Sequence, residues 1–445
     1  MQKLQKKWQI ALYGCAGLGL NMLNLIVGSY LCSALLVGGF ESNVESWTYA
    51  NKDLVIAAFW AVLVFSIKIF DGIIDIPLSS LTDNLRTKWG RRRPAIAIGL
   101  IPLLVSYLLF LVPLDNGATV LNTVWFGVLL AIYYGAYTLT MLTYYATFAE
   151  IVETEGERVF LSNTKSICDV VYFSLGFALV PAFVSMGINI RIVALIFLPL
   201  AATMLIPFFM IKEESTLDGI KHPEGYVPEQ RVGFIKSLVY SFKNKHFIFW
   251  LCTHAVLNTG LQLFLGGINE YFSTTGLNMT FVMASSFAPV PLTLILYNRL
   301  VKKKGLKFAY QYVILMFALG MSLMFFCRML DVSIMLPVAI LCSVIVSFAI
   351  GAFFSVSYTV PSHLAAEENK RSGVCASSMY FAVQGLFEGI SAGTATGLIL
   401  VYLKQADLIR YMTLIVAFFC IVAFLLAFLL PKSIAFIGKQ KQKDE

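Results

Sequence analysis

Charged side chains are scarce in this chain. Asp, Glu, Lys and Arg together make up 13% of its 445 residues, and only four histidines are present. The histidines form no HExxH or comparable metal-binding motif, and no nucleophile and base stand at a fixed spacing, so the sequence does not favour an enzyme. The eight cysteines stand singly, without a CxxC pair. They are predicted to be small packing residues with no disulfide framework.

Apolar sequence, by contrast, is abundant. Hydrophobic residues account for 58% of the chain, and its mean hydropathy of +0.79 far exceeds what a soluble core needs. Twelve runs are long enough to cross a bilayer, at roughly 10–37, 54–81, 94–113, 121–149, 163–186, 190–211, 247–272, 279–299, 308–328, 332–357, 374–403 and 408–431. The sequence therefore predicts an all-α polytopic membrane protein with twelve transmembrane helices surrounded by lipid.

The net charge of +8 is explained by topology and does not indicate nucleic acid. With both termini in the cytoplasm, 26 of the 33 basic residues fall in segments on the inner side of the membrane. Two more lie within helices, and the outside loops hold Lys52, Arg191, Arg328, Lys404 and Arg410. Because basic residues are enriched in cytoplasmic loops of membrane proteins, we expect both termini to be cytoplasmic.

The longest polar interval divides the twelve runs into two sets of six. We predict an N-terminal six-helix bundle at 1–212, a cytoplasmic linker at 213–245, a C-terminal bundle at 246–431 and a cytoplasmic tail at 432–445. Basic residues surround a glycine at the same place in each half, in the loops 86–93 and 299–305. Two related halves of six helices, with the site between them, are typical of the major facilitator fold.

The second apolar run contains three ionisable residues, Lys68, Asp71 and Asp75. Their spacings of three and four place them on one face of a helix. A charge at mid-membrane costs at least a few kcal/mol, so such residues usually pair with one another and mark an ion or substrate path. A carboxylate pair inside the membrane indicates a cation-coupled carrier. The structural alternative is an ion pair with Lys68 that only neutralises buried charge.

This run and the loop after it resemble the signature of the glycoside–pentoside–hexuronide:cation symporters, the melibiose permease family of the major facilitator superfamily. The two blocks read Lys68-Ile-Phe-Asp71-Gly-x-x-Asp75-x-Pro77 and Asp83-x-x-Arg86-Thr-x-Trp-Gly90-x-x-Arg93-Pro94. Weaker matches lie at 157–165, 258–273 and 371–377. The related sucrose–proton symporters share the Gly-Arg-Arg-Arg-Pro of the loop.

The resemblance implies symport of a glycoside or a related sugar or sugar acid by alternating access. It also implies Na⁺ or H⁺ as the coupling ion with no other cofactor, a bacterial inner membrane and a functional monomer. Two alternatives remain open: a cation-coupled carrier of lysolipids or other amphiphiles with the same fold, and a sucrose-type proton symporter.

Three positions depart from the family pattern. In the melibiose permease, aspartates of helices 1 and 4 take part in sugar recognition, and the corresponding positions here are Asn21 and Met141. A lysine of that permease's helix 11 corresponds to Glu388. The resemblance therefore implies that the cation-binding part is kept and that the galactoside-binding part is not.

The coupling residues are predicted to be Asp71 and Asp75, with Lys68 as their exchangeable partner and Glu388 as a third carboxylate. Two carboxylates near one lysine leave one of them to bind a proton or Na⁺, which prefers oxygen ligands. For Glu388 the alternative is a structural pairing with a lysine across the bundle.

A sugar site needs amide and hydroxyl groups together with aromatic faces. The residues predicted to supply them are Asn21, Tyr144, Tyr145, Lys165, Asn258, Gln262 and Gln384. Each could instead serve as an interhelical hydrogen bond. Lys165 also stands four residues before Asp169, which it could simply neutralise, and His254 is interpreted as a hydrogen-bonded core residue in preference to a proton relay.

Basic residues on the cytoplasmic side are predicted to hold an inner gate in one state. They are Arg86, Arg91, Arg92, Arg93 and Arg371. Their candidate partners are helix ends and the acidic residues Asp83, Glu150, Glu153, Glu155 and Glu157.

Overall fold

The computed structural model describes residues 2–4, 6–149, 151–153, 155–219, 242–275, 277, 279–372 and 377–435. Within these ranges all regular secondary structure is helical, and twelve helices are long and apolar enough to cross a membrane. Labelled α1 to α12 in chain order, they are Lys7–Leu35, Ala57–Asp83, Arg92–Phe110, Val120–Ala146, Glu155–Ser185, Ile190–Met210, Lys245–Ser273, Thr280–Lys304, Leu306–Met329, Val332–Ser372, Tyr380–Gln405 and Ile409–Ala427. The predicted fold class and number of spans are confirmed.

Two of the helices extend beyond the apolar runs that predicted them. α5 begins at Glu155 and α10 continues to Ser372, whereas the runs begin at about 163 and end at about 357. Hydropathy indicates only the part of a helix that lies in lipid, while the backbone hydrogen bonds continue into polar sequence. Apolar runs therefore locate spans better than they locate helix ends.

α1 is irregular and packs closely on α6. It contains a π-helical turn at Val27–Leu31 and a 3₁₀ turn at Ser33–Leu35. A β-carbon built on Gly19 would lie 1.7 Å from the Leu200 carbonyl oxygen, so only glycine permits this approach. The hydroxyl of Thr203 accepts a hydrogen bond from the Gly19 amide at 3.2 Å. These contacts fix α1, which carries Asn21, against its neighbour.

The described residues divide into two compact units. The first comprises 1–38 and 43–226 and holds α1 to α6, and the second comprises 39–42 and 227–445 and holds α7 to α12. Most of the linker predicted at 213–245 and most of the tail predicted at 432–445 lie outside the described residues, so those boundaries stay a prediction.

In the second unit, α7 and α11 run side by side in the same direction and in constant register. Residue i of α7 faces residue i+134 of α11 in three hydrogen-bonded pairs, Trp250–Gln384, His254–Glu388 and Glu270–Lys404. The offset is the same before and after a π-helical stretch of α11 at Gly393–Ile399. This register assembles two of the polar groups described below.

The cysteine prediction was wrong for one pair. Cys15 of α1 and Cys168 of α5 form a disulfide, with Cα atoms 5.5 Å apart. They are 153 residues apart in the chain, so no local spacing could reveal the pairing. Cys327 and Cys342, whose sulfur atoms are 3.8 Å apart, are buried and are not joined by a disulfide, as expected of packing residues.

Candidate functional site

The charged residues of α2 are met by side chains of α4. The ammonium group of Lys68 lies 3.7 Å from the centre of the Tyr134 ring, a cation–π distance. One carboxylate oxygen of Asp71 accepts a hydrogen bond from the Thr138 hydroxyl at 3.0 Å. Tyr134 and Thr138 are four residues apart, so one face of α4 serves both charges. Asp75 follows one turn further along α2 and is half-buried.

Sequence reasoning missed Tyr134 and Thr138. Their spacing of four matches the spacing of the charges on α2, but such a spacing recurs throughout any helix. Hydroxyl and aromatic residues are also common in membrane helices, so the sequence alone does not indicate that these two face α2.

A second polar group in the first unit joins α1, α4 and α5. Asn21 donates to Asp169 at 3.2 Å and accepts from the Tyr137 hydroxyl at 2.7 Å. Asp169 also pairs with Lys165, whose ammonium group lies 5.0 Å from the centre of the Tyr145 ring. The side chains of Lys165 and Asp169 are 24% and 17% exposed. The structure thus brings Asn21, Lys165 and Tyr145 together, and adds Tyr137 and Asp169.

Tyr144, which was predicted beside Tyr145 as a substrate residue, occupies a different environment. It is fully buried, and its hydroxyl donates to the backbone carbonyls of Tyr13 at 2.6 Å and Gly14 at 3.1 Å. These bonds tie α4 to α1. Consecutive residues of a helix point about 100° apart, so neighbours in sequence need not share a surface.

The second unit holds a polar group between α7 and α11. One carboxylate oxygen of Glu388 is 2.8 Å from His254 Nε2 and accepts from Gln384 Nε2 at 2.9 Å. Trp250 Nε1 donates to Gln384 at 2.8 Å. Asn258 donates to the Glu388 backbone carbonyl at 3.3 Å, and Gln262 approaches Asn258 at 3.5 Å.

Among the described residues Glu388 therefore pairs with His254, where the alternative expected a lysine across the bundle. The imidazole is stacked between Trp250 and Phe353, with ring centres 4.9 and 5.1 Å away. All of the second-unit residues predicted for the substrate site, Asn258, Gln262 and Gln384, lie in this one group.

A buried ion pair lies further along the same two helices. Lys404 is 2.9 Å from Glu270, and their side chains are 3% and 0% exposed. Lys404 was expected in an outside loop. That expectation was wrong, because α11 continues to Gln405 and carries the lysine inside the helix packing.

The basic loop after α2 is organised by an acidic residue that the sequence did not indicate. Glu213 accepts hydrogen bonds from the backbone amides of Arg91 at 3.0 Å and Arg92 at 2.7 Å, at the start of α3. A carboxylate there satisfies amides that have no partner within the helix and complements the helix dipole. Gly90, at φ +83°, gives Glu213 the room to approach.

The arginines predicted to act in gating lie in different surroundings. Arg86 is exposed, Arg92 is buried, and the Arg93 guanidinium lies 5.1 Å from the centre of the Phe208 ring. Of the predicted acidic partners, Glu157 accepts from the Glu153 amide at 3.1 Å. The side chains of Arg371, Asp83, Glu150 and Glu155 lie outside the described residues.

A family model described as MFS/sugar transport protein matches residues 12–433, nearly the whole chain. The chain belongs to this family. The predicted membership of the major facilitator superfamily is confirmed, and the protein is a multi-pass membrane transporter and not an enzyme. A comparison with curated proteins found no match to this chain.

Solved structures of other transporters share the fold of this chain. It is similar to a mutant form of the nucleoside transporter NupG, with a TM-score of 0.61 and 14% identity over 96% of this chain and 100% of that one. It is also similar to a bacterial homolog of the human lysosomal transporter Spinster, with a TM-score of 0.62 and 11% identity over 98% of each chain. Identities this low support the fold alone.

Proposed function

We propose that this transporter moves a hydroxyl-rich solute, a glycoside or a related sugar or sugar acid, together with Na⁺ or H⁺. In this proposal it works as a single chain in a bacterial inner membrane, with both termini in the cytoplasm. The observation that carries the proposal is the charged group on α2, where Lys68 and Asp71 lie inside a membrane span with neutral partners from α4. Charges kept in such a place usually serve ion or substrate movement.

The α2 group has the oxygen atoms that a small cation needs as ligands. Asp71 and Asp75 lie one turn apart, and the Thr138 hydroxyl stands beside Asp71. Na⁺ prefers oxygen ligands, and the same carboxylates accept protons. A cation bound at Asp71 would compete with Lys68 for the negative charge, while the Tyr134 ring continues to stabilise the ammonium group. Ion binding would thereby change the forces between α2 and α4.

The solute is proposed to bind in the first unit, at the group of Asn21, Tyr137, Lys165, Asp169 and Tyr145; in the second unit, taken by itself, the α7–α11 group is the other candidate. The first offers an amide, a hydroxyl, a partly exposed ion pair and an aromatic ring. The hydroxyl groups of a sugar need both hydrogen-bond donors and acceptors from the protein, and the carboxylate of an acidic sugar needs a cation such as Lys165. The family's description as sugar transport proteins supports the same class of solute.

The experiment is thermal unfolding of the purified protein against sugars, uronides, nucleosides and lysolipids, each with and without Na⁺ and at two pH values. A ligand that binds only the native state raises the free energy of unfolding, by about 2.7 kcal/mol at a hundredfold excess over its Kd. Stabilisation by a sugar or uronide that grows with Na⁺ or with acid is the expected result. A response to nucleosides or lysolipids alone would contradict the solute class, and a cation-independent response would contradict coupling.

Once a solute is identified, Asp75→Asn tests coupling directly. The variant should lose accumulation of the solute against its gradient in proteoliposomes but keep solute exchange, because exchange needs no net movement of the ion. Asp115→Asn, the same substitution at an exposed aspartate before α4, is the matched control and should accumulate normally. Uphill accumulation by Asp75→Asn would rule out its coupling role.

A further inference from the structure

Of the two carboxylate oxygens of Glu388, Oε1 is hydrogen-bonded and Oε2 is open. Oε1 receives both the His254 ring nitrogen and the Gln384 amide, at 2.8 and 2.9 Å. Within the described ranges Oε2 makes no hydrogen bond, and the side chain is 34% exposed while that of His254 is 1% exposed. The carboxylate is therefore fixed in orientation with a free oxygen on its accessible side.

The charge balance of this group differs from that of two other acids within the helices. Asp169 is paired with Lys165, and Glu270 with Lys404. Glu388 is held instead by a glutamine, which is neutral, and a histidine, which is neutral unless protonated. An ionised Glu388 beside a neutral imidazole leaves one net negative charge inside a membrane span, and uptake of one proton removes it.

The hydrogen bonding of His254 indicates which atom takes that proton. Its Nδ1 is buried without a hydrogen-bond partner in the described part of the chain. A protonated ring would place a charged N–H donor there, and an unsatisfied buried group costs more when it carries charge than the unsatisfied neutral acceptor of the other form does. The ring is therefore best placed as the neutral form with hydrogen on Nε2, donating to Glu388 Oε1. The exchangeable proton then belongs on Oε2.

Among the described residues, the groups that surround the pair are uncharged. α7 contributes Trp250 and Asn258, α10 contributes Phe353 and the Ser357 carbonyl that Gln384 binds, and α11 contributes Gln384. The titratable Tyr310 of α9 contacts Trp250, with ring centres 5.5 Å apart. The charged pair Glu270–Lys404 lies sixteen residues further along α7, about 24 Å at the rise of a helix.

We infer that Glu388 is a proton-binding site of the second unit, with the proton held on Oε2 and with His254 as the residue that positions the carboxylate. This site belongs to a different unit from the carboxylates of α2. Its role as a coupling site rests on the proposed symport, whereas proton binding itself does not.

The test is infrared difference spectroscopy of the purified full-length protein between neutral and mildly acidic pH, which detects carboxyl groups as they take up protons. The wild type should show a carboxyl band that Glu388→Gln lacks. Glu367→Gln, the same change at an exposed glutamate of α10, should keep the band, and so should Glu388→Asp, which retains a carboxyl group if the glutamine variant folds poorly. The carboxylates of α2 contribute equally to both proteins, so a difference spectrum of Glu388→Gln that is identical to that of the wild type overturns the assignment.

The role of His254 has its own readout. In a chain whose other three histidines are glutamine, nitrogen NMR of labelled histidine should show hydrogen on Nε2 and none on Nδ1 when the Glu388 carboxyl band is present. His254→Phe, which removes a hydrogen-bond donor to Oε1, should shift the frequency of the Glu388 carboxyl band, whereas replacing a histidine that does not contact the carboxylate would not. A protonated Nδ1 would place the proton on the ring and overturn the assignment to Oε2.

Neither measurement uses a transported solute. Failure of the solute panel would leave the proton site standing, and failure of these two measurements would leave cation-coupled transport at α2 standing.

Discussion

Two of the lysine–carboxylate pairs within the helices of this transporter differ in their solvent exposure. Glu270–Lys404 is 0% and 3% exposed, and the second oxygen of Glu270 has no hydrogen-bond partner among the described residues. Lys165–Asp169 is 24% and 17% exposed and has Asn21 and Tyr145 beside it. The same chemistry is therefore closed off in one unit and open to a ligand in the other.

The difference in exposure predicts a structural role for the buried pair and a functional role for the partly exposed one. A fully buried charge that loses its partner has no water to replace it, so the pair holds the helices together without being available to a solute. A partly exposed pair contributes little to stability because solvent screens it, but it can exchange its partner for a ligand. The predictions that follow test this contrast, from the largest expected effect to the smallest.

Lys404→Met should lower the free energy of unfolding by about 3–5 kcal/mol, because it leaves the Glu270 carboxylate buried and uncompensated. Glu270→Gln combined with Lys404→Met should recover most of that loss, since no charge then remains. Thermal unfolding of the purified variants measures both effects. A single variant as stable as the wild type would show that the pair is not closed to water, and the contrast would fail.

Lys165→Met is the matched change in the open pair and should behave differently. Its free energy of unfolding should change by less than about 1 kcal/mol, as exposed pairs contribute little. Affinity for the solute found in the thermal panel should fall by about ten- to a hundredfold, which corresponds to a lost charge-assisted hydrogen bond of about 1.5–3 kcal/mol. Loss of stability without loss of affinity would assign Lys165 to structure.

Tyr144 and Tyr137 of α4 allow the same contrast between structure and binding to be tested with single hydroxyl groups. Tyr144→Phe should cost about 1 kcal/mol of stability, because its hydroxyl binds buried carbonyls of α1, and should leave solute affinity unchanged. Tyr137→Phe should weaken solute binding by about fivefold through release of Asn21, with a smaller effect on unfolding. Titration by isothermal calorimetry with the identified solute distinguishes them. The reverse result would place the binding surface on the other face of α4.

Glu213→Gln gives the smallest effect. The glutamine can still accept from the Arg91 and Arg92 amides, but the interaction of a negative charge with the start of α3 is lost, at about 0.5–1 kcal/mol. Thermal unfolding at low and high salt checks the cause, because only a charge–dipole contribution should shrink with salt. An equal loss at both salt concentrations would indicate packing instead.

The positions of the membrane spans could be predicted because a helix in lipid must form all of its backbone hydrogen bonds internally and needs about twenty apolar residues to cross the bilayer. For the same reason the charges of α2 were evident, since Lys68, Asp71 and Asp75 interrupt an apolar run at helical spacing. Helix ends were less well predicted, as α5 and α10 show, because polar sequence continues a helix without any hydropathy signal.

The sequence did not predict most of the residues that contact the candidate site residues. Tyr134 and Thr138 face α2 across a gap of more than sixty residues, and Glu213 meets the loop before α3 from beyond α6. Cys15 and Cys168 illustrate the same limit. Each of these residue types is ordinary where it stands, so nothing local distinguishes the one that makes a long-range contact.

By itself the sequence determined that this chain is a twelve-helix membrane protein with ionisable groups on α2, because hydrophobicity and helical spacing act over about twenty residues. Only the tertiary structure decided what those groups touch. The offset of 134 between α7 and α11 makes the point: it pairs Glu388 with a histidine and Glu270 with a lysine. Register between distant helices depends on the packing of the whole unit, and two glutamates of one chain thereby acquire different charge environments.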